Sequence, residues 1–311
     1  MNNVFISIII PCYNCEATIE QTVNSITSQV LPAGLELEII LVNDASTDRT
    51  LAILESFELN TAKVINLTRN QGRSAARNTG ARHASGSHLL FIDSDCSPDE
   101  PTLLQQHLEA LDSGCQICFG TLKNPNSSFL AEYQNTTFIN RYFKQDLCHQ
   151  TSAHFSITAT AFAVSGGFPE CYKHYGFEDR DFFLGLSTQI NNDQIRFIPA
   201  SVLHNDHLLI SDLCSKLYEA ARFSAMLFHS RHPAVYASSA YGKLDPRVNR
   251  GFLPRFARFI SPLQPWLCKW VSPLLEIDWL PFTIRKILAQ SVMALAYARG
   301  CFARQASTNP E

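Results

Sequence analysis

The eight residues Leu89-Leu90-Phe91-Ile92-Asp93-Ser94-Asp95-Cys96 constrain this chain more than any other stretch, because an apolar run stops abruptly at two carboxylates two positions apart. Bounded by Gly86 and by Ser97-Pro98-Asp99, the run reads as a strand buried on both faces of a parallel sheet. Its polar end marks an edge of that sheet. Residues i and i+2 of a strand share a face, so continued extension past Ile92 aims Asp93 and Asp95 the same way and turns Ser94 from them. Neighbouring carboxylates raise one another's pKa unless positive charge lies between them. A hard divalent cation with oxygen ligands meets that need and would in turn hold phosphates. The same end also reads as a helix start, since Ser97-Pro98-Asp99-Glu100 has the form of a capping box with Pro at the first helical position.

Upstream, apolar runs alternate with helical patterns through about residue 100, the sign of a doubly wound α/β sheet. Strands are expected at Phe5 to Ile10, Glu36 to Val42 and Ala62 to Leu67, with helices after each. Every strand ends in a polar loop: Pro11-Cys12-Tyr13-Asn14, then Asn43-Asp44-Ala45-Ser46-Thr47-Asp48, then Asn70-Gln71-Gly72-Arg73. Open α/β sheets bind ligands at such ends, where helix N-termini converge. Asp44 could accept from a base N–H, Arg73 or Arg77 could pair with phosphate, and the Asp93/Asp95 pair could hold ribose and metal. A dinucleotide fold needs glycines after its first strand, and there is none between Met1 and Gly34.

Together, Ser7-Ile8-Ile9-Ile10-Pro11-Cys12-Tyr13-Asn14, Ile40-Leu41-Val42-Asn43-Asp44-Ala45-Ser46-Thr47-Asp48, Asn70-Gln71-Gly72 with Ala76-Arg77-Asn78, and Asp93-Ser94-Asp95 resemble family 2 glycosyltransferases of the GT-A fold. The resemblance implies an inverting transferase that takes a sugar from a nucleotide diphosphate donor, a UDP-sugar first, on a mostly parallel sheet flanked by helices. By that match Pro11, Tyr13 and Asp44 line the base and ribose pocket, and Arg73 lies near the nucleotide. Asp93 and Ser94 belong with the donor, and Asp95 binds Mg²⁺ or Mn²⁺ at the diphosphate. Arg77 fits a helix residue that holds the fold equally well.

The second half of the site is less regular. A helix is expected from Ser97 to about Leu111, a strand at Cys115 to Leu122, a helix at Phe129 to Phe143 and a strand at Thr158 to Val164. Gly166-Gly167-Phe168-Pro169 reads as a tight turn. Glu178-Asp179-Arg180-Asp181 then opens a helix, where acids complement the helix dipole. An inverting transfer also needs a base for the acceptor hydroxyl. The Gly-Gly-Phe turn followed by Glu-Asp resembles the family's acceptor segment, which makes Asp179 the candidate base and places Glu178 against donor sugar or acceptor. After an edge strand at Gln194 to Ala200, His204, ahead of His207, is a candidate metal or diphosphate contact. Many relatives carry Arg or Asn near Thr160 to Ala163, and Thr-Ala-Phe-Ala here leaves the acceptor open.

A chain of 311 residues with 46% hydrophobic content can bury a sizeable core. Its ten cysteines, including the pairs Cys12/Cys15 and Cys115/Cys118, are mostly flanked by apolar residues. The two pairs are too far apart for one zinc module, and the pattern fits a reducing cytoplasm. Val4 to Ile10 is too short for a leader and reads as the first strand. Net charge is −3, but from Asp245 onward nine Lys or Arg stand against four Asp or Glu, which leaves −8 for the rest. That tail is rich in Phe and Trp, while Pro262, Pro265, Pro273 and Pro281 interrupt each run before the ~20 residues a membrane span needs. The expected organisation is a catalytic domain over residues 1–230, with a nucleotide half to about 100 and an acceptor half to about 210. A helical, basic extension follows over 231–311, with residues 250–303 able to lie on an anionic membrane or to pack as ordinary helices.

The expected partners are a nucleotide-sugar and a saccharide or lipid-linked saccharide, with no nucleic acid. A sugar-nucleotide nucleotidyltransferase would instead carry a Gly-rich basic loop after the first strand, and a silent binding subunit would have lost the carboxylates.

Overall fold

The computed structural model describes residues 4–32, 35–58, 60–205 and 208–303. By their contacts they fall into two compact units. The first comprises Met1–Asn126, Gln134–Cys171 and Glu178–Asp206; the second comprises Ser127–Tyr133, Tyr172–Phe177 and His207–Glu311.

The first unit opens with β1 (Val4–Cys12), α1 (Ile19–Thr27), β2 (Glu36–Asn43), α2 (Thr50–Glu55), β3 (Ala62–Asn66), α3 (Arg73–His83) and β4 (His88–Ile92). β1 to β4 pair in parallel in the order β3-β2-β1-β4. Alternation sets the two faces: Ile6, Ile8 and Ile10 pack with Ile19, Val23 and Ile26 of α1, while Ile9 and Phe91 turn to a second core. With both faces covered, these strands read as continuous apolar runs. β1 runs on through Pro11, paired with Val42, to Cys12.

Beyond β4 the sheet becomes mixed. It adds β5 (Cys96–Pro98), β6 (Ile117–Lys123), β7 (His154–Thr158) and β8 (Ile195–His204), in the full order β3-β2-β1-β4-β7-β6-β8-β5. Between them lie α4 (Leu103–Asp112), α5 (Phe129–Lys144), α6 (Ala159–Ser165) and α7 (Glu178–Ser187).

Two local expectations are corrected here. The Ser97-Pro98-Asp99-Glu100 capping box does not form: Cys96–Pro98 is a short edge strand antiparallel to β8, and α4 starts at Leu103. Pro98 suits the sheet margin, where a missing N–H costs nothing, and the Asp99 carboxylate accepts from Lys123 Nζ at 2.6 Å and Ser201 Oγ at 2.8 Å. Thr158 ends β7 rather than opening a strand, and its hydroxyl accepts from Ala161 N to cap α6. α6 stops at Gly166 and Gly167, both at φ +77°, so the tight turn forms where glycine is required. β8 runs past Ala200 to His204, and β5 pairs with it only over Val202–His204, so the segment up to Ala200 has β6 alone as its strand neighbour among the described residues.

The second unit is helical. It holds the first turn of α5, then α8 (Ile210–Glu219), a π turn at Ala220–Ser224, α9 (Ala225–Arg231), α10 (Pro233–Ser238), α11 (Ala240–Leu244), α12 (Phe252–Ile260), α13 (Gln264–Leu275) and α14 (Phe282–Phe302). Residues 231–246 thus hold two short helices. Pro233 sits in the first turn of α10, where it is tolerated, and Ser239 caps α11 by accepting from Gly242 N. Ile210, Cys214, Val271, Leu275, Val292 and Ala296 form the unit's core. No described helix is long and apolar enough to cross a membrane.

All ten cysteines are free thiols. Burial pushes the Cys115 thiol up to about 11 and raises Cys118 further.

Candidate active site

Carboxyl ends of β1, β2 and β4 carry the candidate residues in the first unit. Two residues with positive φ, Asn14 (49°) and Ala45 (56°), bend the loops after β1 and β2. Asn14 N–H donates to Ser46 Oγ at 3.0 Å and its Oδ1 accepts from Thr47 N at 2.8 Å, so the two loops hold each other. Pro11 is buried beneath them and Tyr13 is about half exposed, an open aromatic face at the end of β1. Asp44 is buried, and its two oxygens accept separately from Gln71 N at 2.7 Å and Gly72 N at 2.8 Å. One carboxylate therefore fixes the loop that delivers Arg73 and α3.

The backbone does not stay extended after Ile92. Cys96 N donates to Asp93 O at 3.0 Å, closing a turn, and the two carboxylates take different partners. Asp93 Oδ1 accepts from Arg77 Nη2 at 2.6 Å. Burial alone would lift the Asp93 carboxyl, but the Arg77 guanidinium outweighs it and holds the group below the usual carboxylate range. Between the two, Ser94 O accepts from Thr22 Oγ1 at 3.0 Å, tying the turn to α1.

Asp95 turns toward β8. His204 Nε2 lies 3.5 Å from Asp95 Oδ2, and the Cys96 thiol donates to Asp95 Oδ1 at 3.6 Å. Cys96 and His204 are direct cross-strand partners, so β5 to β8 pairing brings the three side chains together. One ligand atom from each lies within 4.8 Å of the others, and His204 Nδ1 is buried with no hydrogen-bond partner among the described residues. A carboxylate, an imidazole and a thiol are an apt donor set for a divalent cation. His207 lies outside the described residues.

At the start of α7, Asp179 accepts from Ser152 Oγ at 2.7 Å and Ser152 N at 3.2 Å, with Arg77 Nη1 3.9 Å away. Glu178 is buried beside it, its Oε1 3.5 Å from the half-exposed Arg73 and its Oε2 without a hydrogen-bond partner among the described residues. Burial first, then the Asp179 charge, raise the Glu178 pKa against the opposing pull of Arg73.

Arg77 joins the two halves of this cluster. It is 1% exposed, packs over the Phe168 ring at 5.3 Å, and faces both Asp93 and Asp179. Its Nε and Nη1 have no hydrogen-bond partner among the described residues. Next to it, Asn78 Nδ2 donates to Phe168 O and its Oδ1 accepts from Phe168 N, both at 2.8 Å, which clamps the Gly166-Gly167-Phe168 turn onto α3. Sequence reasoning gave Arg77 only an even claim on the site and missed Ser152. The only cue for Arg77 was its place in Ala76-Arg77-Asn78, and nothing local marks Ser152.

The sequence matches the model for Glycosyl transferase family 2 over residues 7–166. The chain belongs to that family. Among relatives of this family 2 chain, the chondroitin synthase of Pasteurella multocida is 30% identical over 214 residues, 67% of this chain and 22% of that protein. The chain spans half the length or less of the leading curated relatives it matches. Two solved structures share the fold. Staphylococcus aureus TarS 1-349 in complex with UDP-GlcNAc aligns with a TM-score of 0.54 at 19% identity, over 95% of this chain and 90% of that one. The mannosyltransferase PcManGT of Pyrobaculum calidifontis, in complex with GDP-Man and Mn²⁺, aligns with a TM-score of 0.63 at 17% identity, over 94% and 86%.

Proposed function

We propose that this chain is an inverting, metal-dependent glycosyltransferase that moves a sugar from a nucleotide diphosphate donor, a UDP-sugar first, to a hydroxyl of a saccharide or lipid-linked saccharide in cell-surface polysaccharide synthesis. The observation that carries the reading is the buried Arg77 set between Asp93 and Asp179. It links a turn suited to the donor with a carboxylate suited to the acceptor. The names of the chondroitin synthase and of the UDP-GlcNAc and GDP-Man complexes support the reaction class and the donor class.

Asp95 and His204 would hold the cation, with Cys96 beside them. Bound there, a divalent cation supplies positive charge against the departing diphosphate. Tyr13 offers an open aromatic face for the base, and Asp44 shapes the loop next to it. Arg73, half exposed at the N-terminus of α3, is placed for phosphate oxygens. Asp93, kept ionised by Arg77, would accept from a ribose or sugar hydroxyl, with Ser94 alongside.

Asp179 is the base. As the acceptor oxygen bonds to the anomeric carbon, its proton passes to Asp179 and the bond to the diphosphate breaks on the opposite face, which inverts the configuration. Ser152 and Arg77 keep Asp179 oriented until then. Glu178, with one oxygen unpartnered, is placed to contact donor sugar or acceptor.

Asp179→Asn is expected to lower kcat about 10² to 10⁴-fold while calorimetric binding of UDP with Mn²⁺ is retained. Asp95→Ala is expected to abolish the Mn²⁺ dependence of that binding. Unchanged turnover in Asp179→Asn, or full turnover with chelator present, would sink the reading.

A further inference from the structure

The second unit carries most of the molecule's exposed apolar bulk. Eleven of the nineteen large hydrophobic side chains exposed among the described residues lie between Phe252 and Ile287. On α12, Pro254 and Ala257 face inward while Phe252, Leu253, Phe256 and Phe259 are exposed. Positions 252, 256 and 259 fall on one side of a helix, so this helix turns its wide apolar face outward and buries its narrow one. α13 repeats the arrangement: Cys268, Val271 and Leu275 are buried, while Trp266, Trp270 and Leu274 are exposed. Trp279, in the connection to α14, is 81% exposed. Singly exposed apolar residues are ordinary, but successive helices that both turn aromatic faces outward are not.

Charge decides what covers this surface. Residues 250–287 hold six Lys or Arg against two acids, a balance of +4. Arg250, Arg255, Arg258 and Lys269 are all exposed, and on α12 two of them directly flank the exposed phenylalanines. A second copy docked on the same patch would bring two such basic faces together, which opposes a symmetric interface. Aromatic rings bordered by cations instead match the boundary between lipid headgroups and acyl chains.

We propose that α12, α13 and the start of α14 form a docking surface for an anionic lipid bilayer, on which these helices lie in the plane of the interface without crossing it. The surface stands independently of the transferase chemistry. Phe252 and Phe259 enter the acyl boundary, Trp266, Trp270 and Trp279 sit at headgroup level, and the cations meet lipid phosphates.

All three tryptophans of the chain lie in this surface, so their emission reports on it alone. The whole chain is mixed with phosphatidylcholine vesicles, with and without phosphatidylglycerol. The expected result is a blue shift and co-flotation with the anionic vesicles only, weakened by salt. Phe252→Ser with Phe259→Ser should reduce partitioning about tenfold, and Arg255→Glu with Arg258→Glu about tenfold or more. Both pairs are exposed, so circular dichroism should remain that of the parent chain. No shift with anionic vesicles, equal binding to neutral ones, or a dimer in light scattering that the Phe pair abolishes without any vesicle binding, would each overturn the proposal.

Discussion

Each unit pairs an arginine with carboxylate, and the two arrangements differ in what they leave unfinished. In the second unit Arg247 is satisfied: Nε and Nη2 donate to the two oxygens of Asp245 at 2.8 and 2.7 Å, and Nη2 also reaches Ala221 O at 2.9 Å. Asp245 takes a further hydrogen bond from Tyr236 at 2.6 Å, and Tyr236 and Tyr297 share another at 2.6 Å. Burial would lift the Asp245 carboxyl, yet Arg247 and Tyr236 hold it below the usual range. In the first unit Arg77 Nε and Nη1 have no hydrogen-bond partner among the described residues, and neither does Glu178 Oε2. Unpaired buried polar atoms cost about 1–3 kcal/mol each. A closed network of this kind holds a fold together, whereas the open one, under the function we propose, keeps its groups for the substrates.

The largest effect expected from this contrast is on Asp245. Asp245→Ala removes the buried acceptor of four hydrogen bonds, from Arg247 N, Nε and Nη2 and from the Tyr236 hydroxyl, and should cost about 3–5 kcal/mol of stability. Denaturant unfolding measures it directly. A loss under about 1 kcal/mol would mean that the closed network is not what holds the second unit, and the comparison would fail at its stronger end.

Sequence reading succeeds where the physics is local. Ile6 to Ile10 or Leu89 to Ile92 announce buried strands because every residue obeys one requirement, and Gly166-Gly167 announces a turn because only glycine accepts its φ angles cheaply. Where pairing is decided at long range, local pattern misleads. Ser97-Pro98-Asp99-Glu100 satisfies a helix-start rule, but Ser97 and Pro98 pair with Leu203 and Val202 over a hundred residues away. The assumption that Asp93 and Asp95 share a face fails because the chain turns at once, toward Arg77 on one side and His204 on the other. Arg77 sits on a helix of mixed composition, and its burial follows only from how α3 packs against the sheet. Ser152 precedes β7 with nothing nearby in sequence to show that α7 will bring Asp179 to it.

A third buried network sharpens the comparison, because neutral groups complete it. Thr121 O can only accept, so His154 donates to it from Nδ1 at 3.2 Å. His154 Nε2 must then accept from His107 Nε2 at 2.8 Å, and His107 Nδ1 accepts from Ser156 Oγ at 2.8 Å. Burial brings the His154 pKa down from 6.5 to about 4, and burial followed by the His154 charge lowers His107 as well. Both histidines are neutral when folded and gain protons on unfolding below about 6.5. Their contribution is therefore complete above pH 6.5 and is lost as pH falls toward 4, by about 3 kcal/mol for His154 alone. Unfolding measured at pH 7.5 and 4.5, where carboxylates also titrate, should show a smaller pH difference in His154→Gln than in the parent chain. An equal difference in both would remove this network from the closed class.

The smallest expected effect has the opposite sign and tests the open network. Glu178 is buried, carries one oxygen without a hydrogen-bond partner among the described residues, and lies beside the Asp179 charge. With its pKa raised in the folded state, its ionised form is disfavoured there, and the penalty grows as pH rises above the ordinary value of 4.5. Glu178→Gln keeps the shape and removes the charge. At pH 7 it should leave stability unchanged or raise it by about 0.5–2 kcal/mol, while lowering turnover. The gain should vanish near pH 4, where the parent carboxyl is protonated too. Loss of stability at pH 7, on the scale of Asp245→Ala, would make Glu178 a member of the structural network instead. A gain in stability together with loss of turnover is what a carboxylate kept at a cost to the fold should give, and the contrast with Asp245 would then hold at both ends.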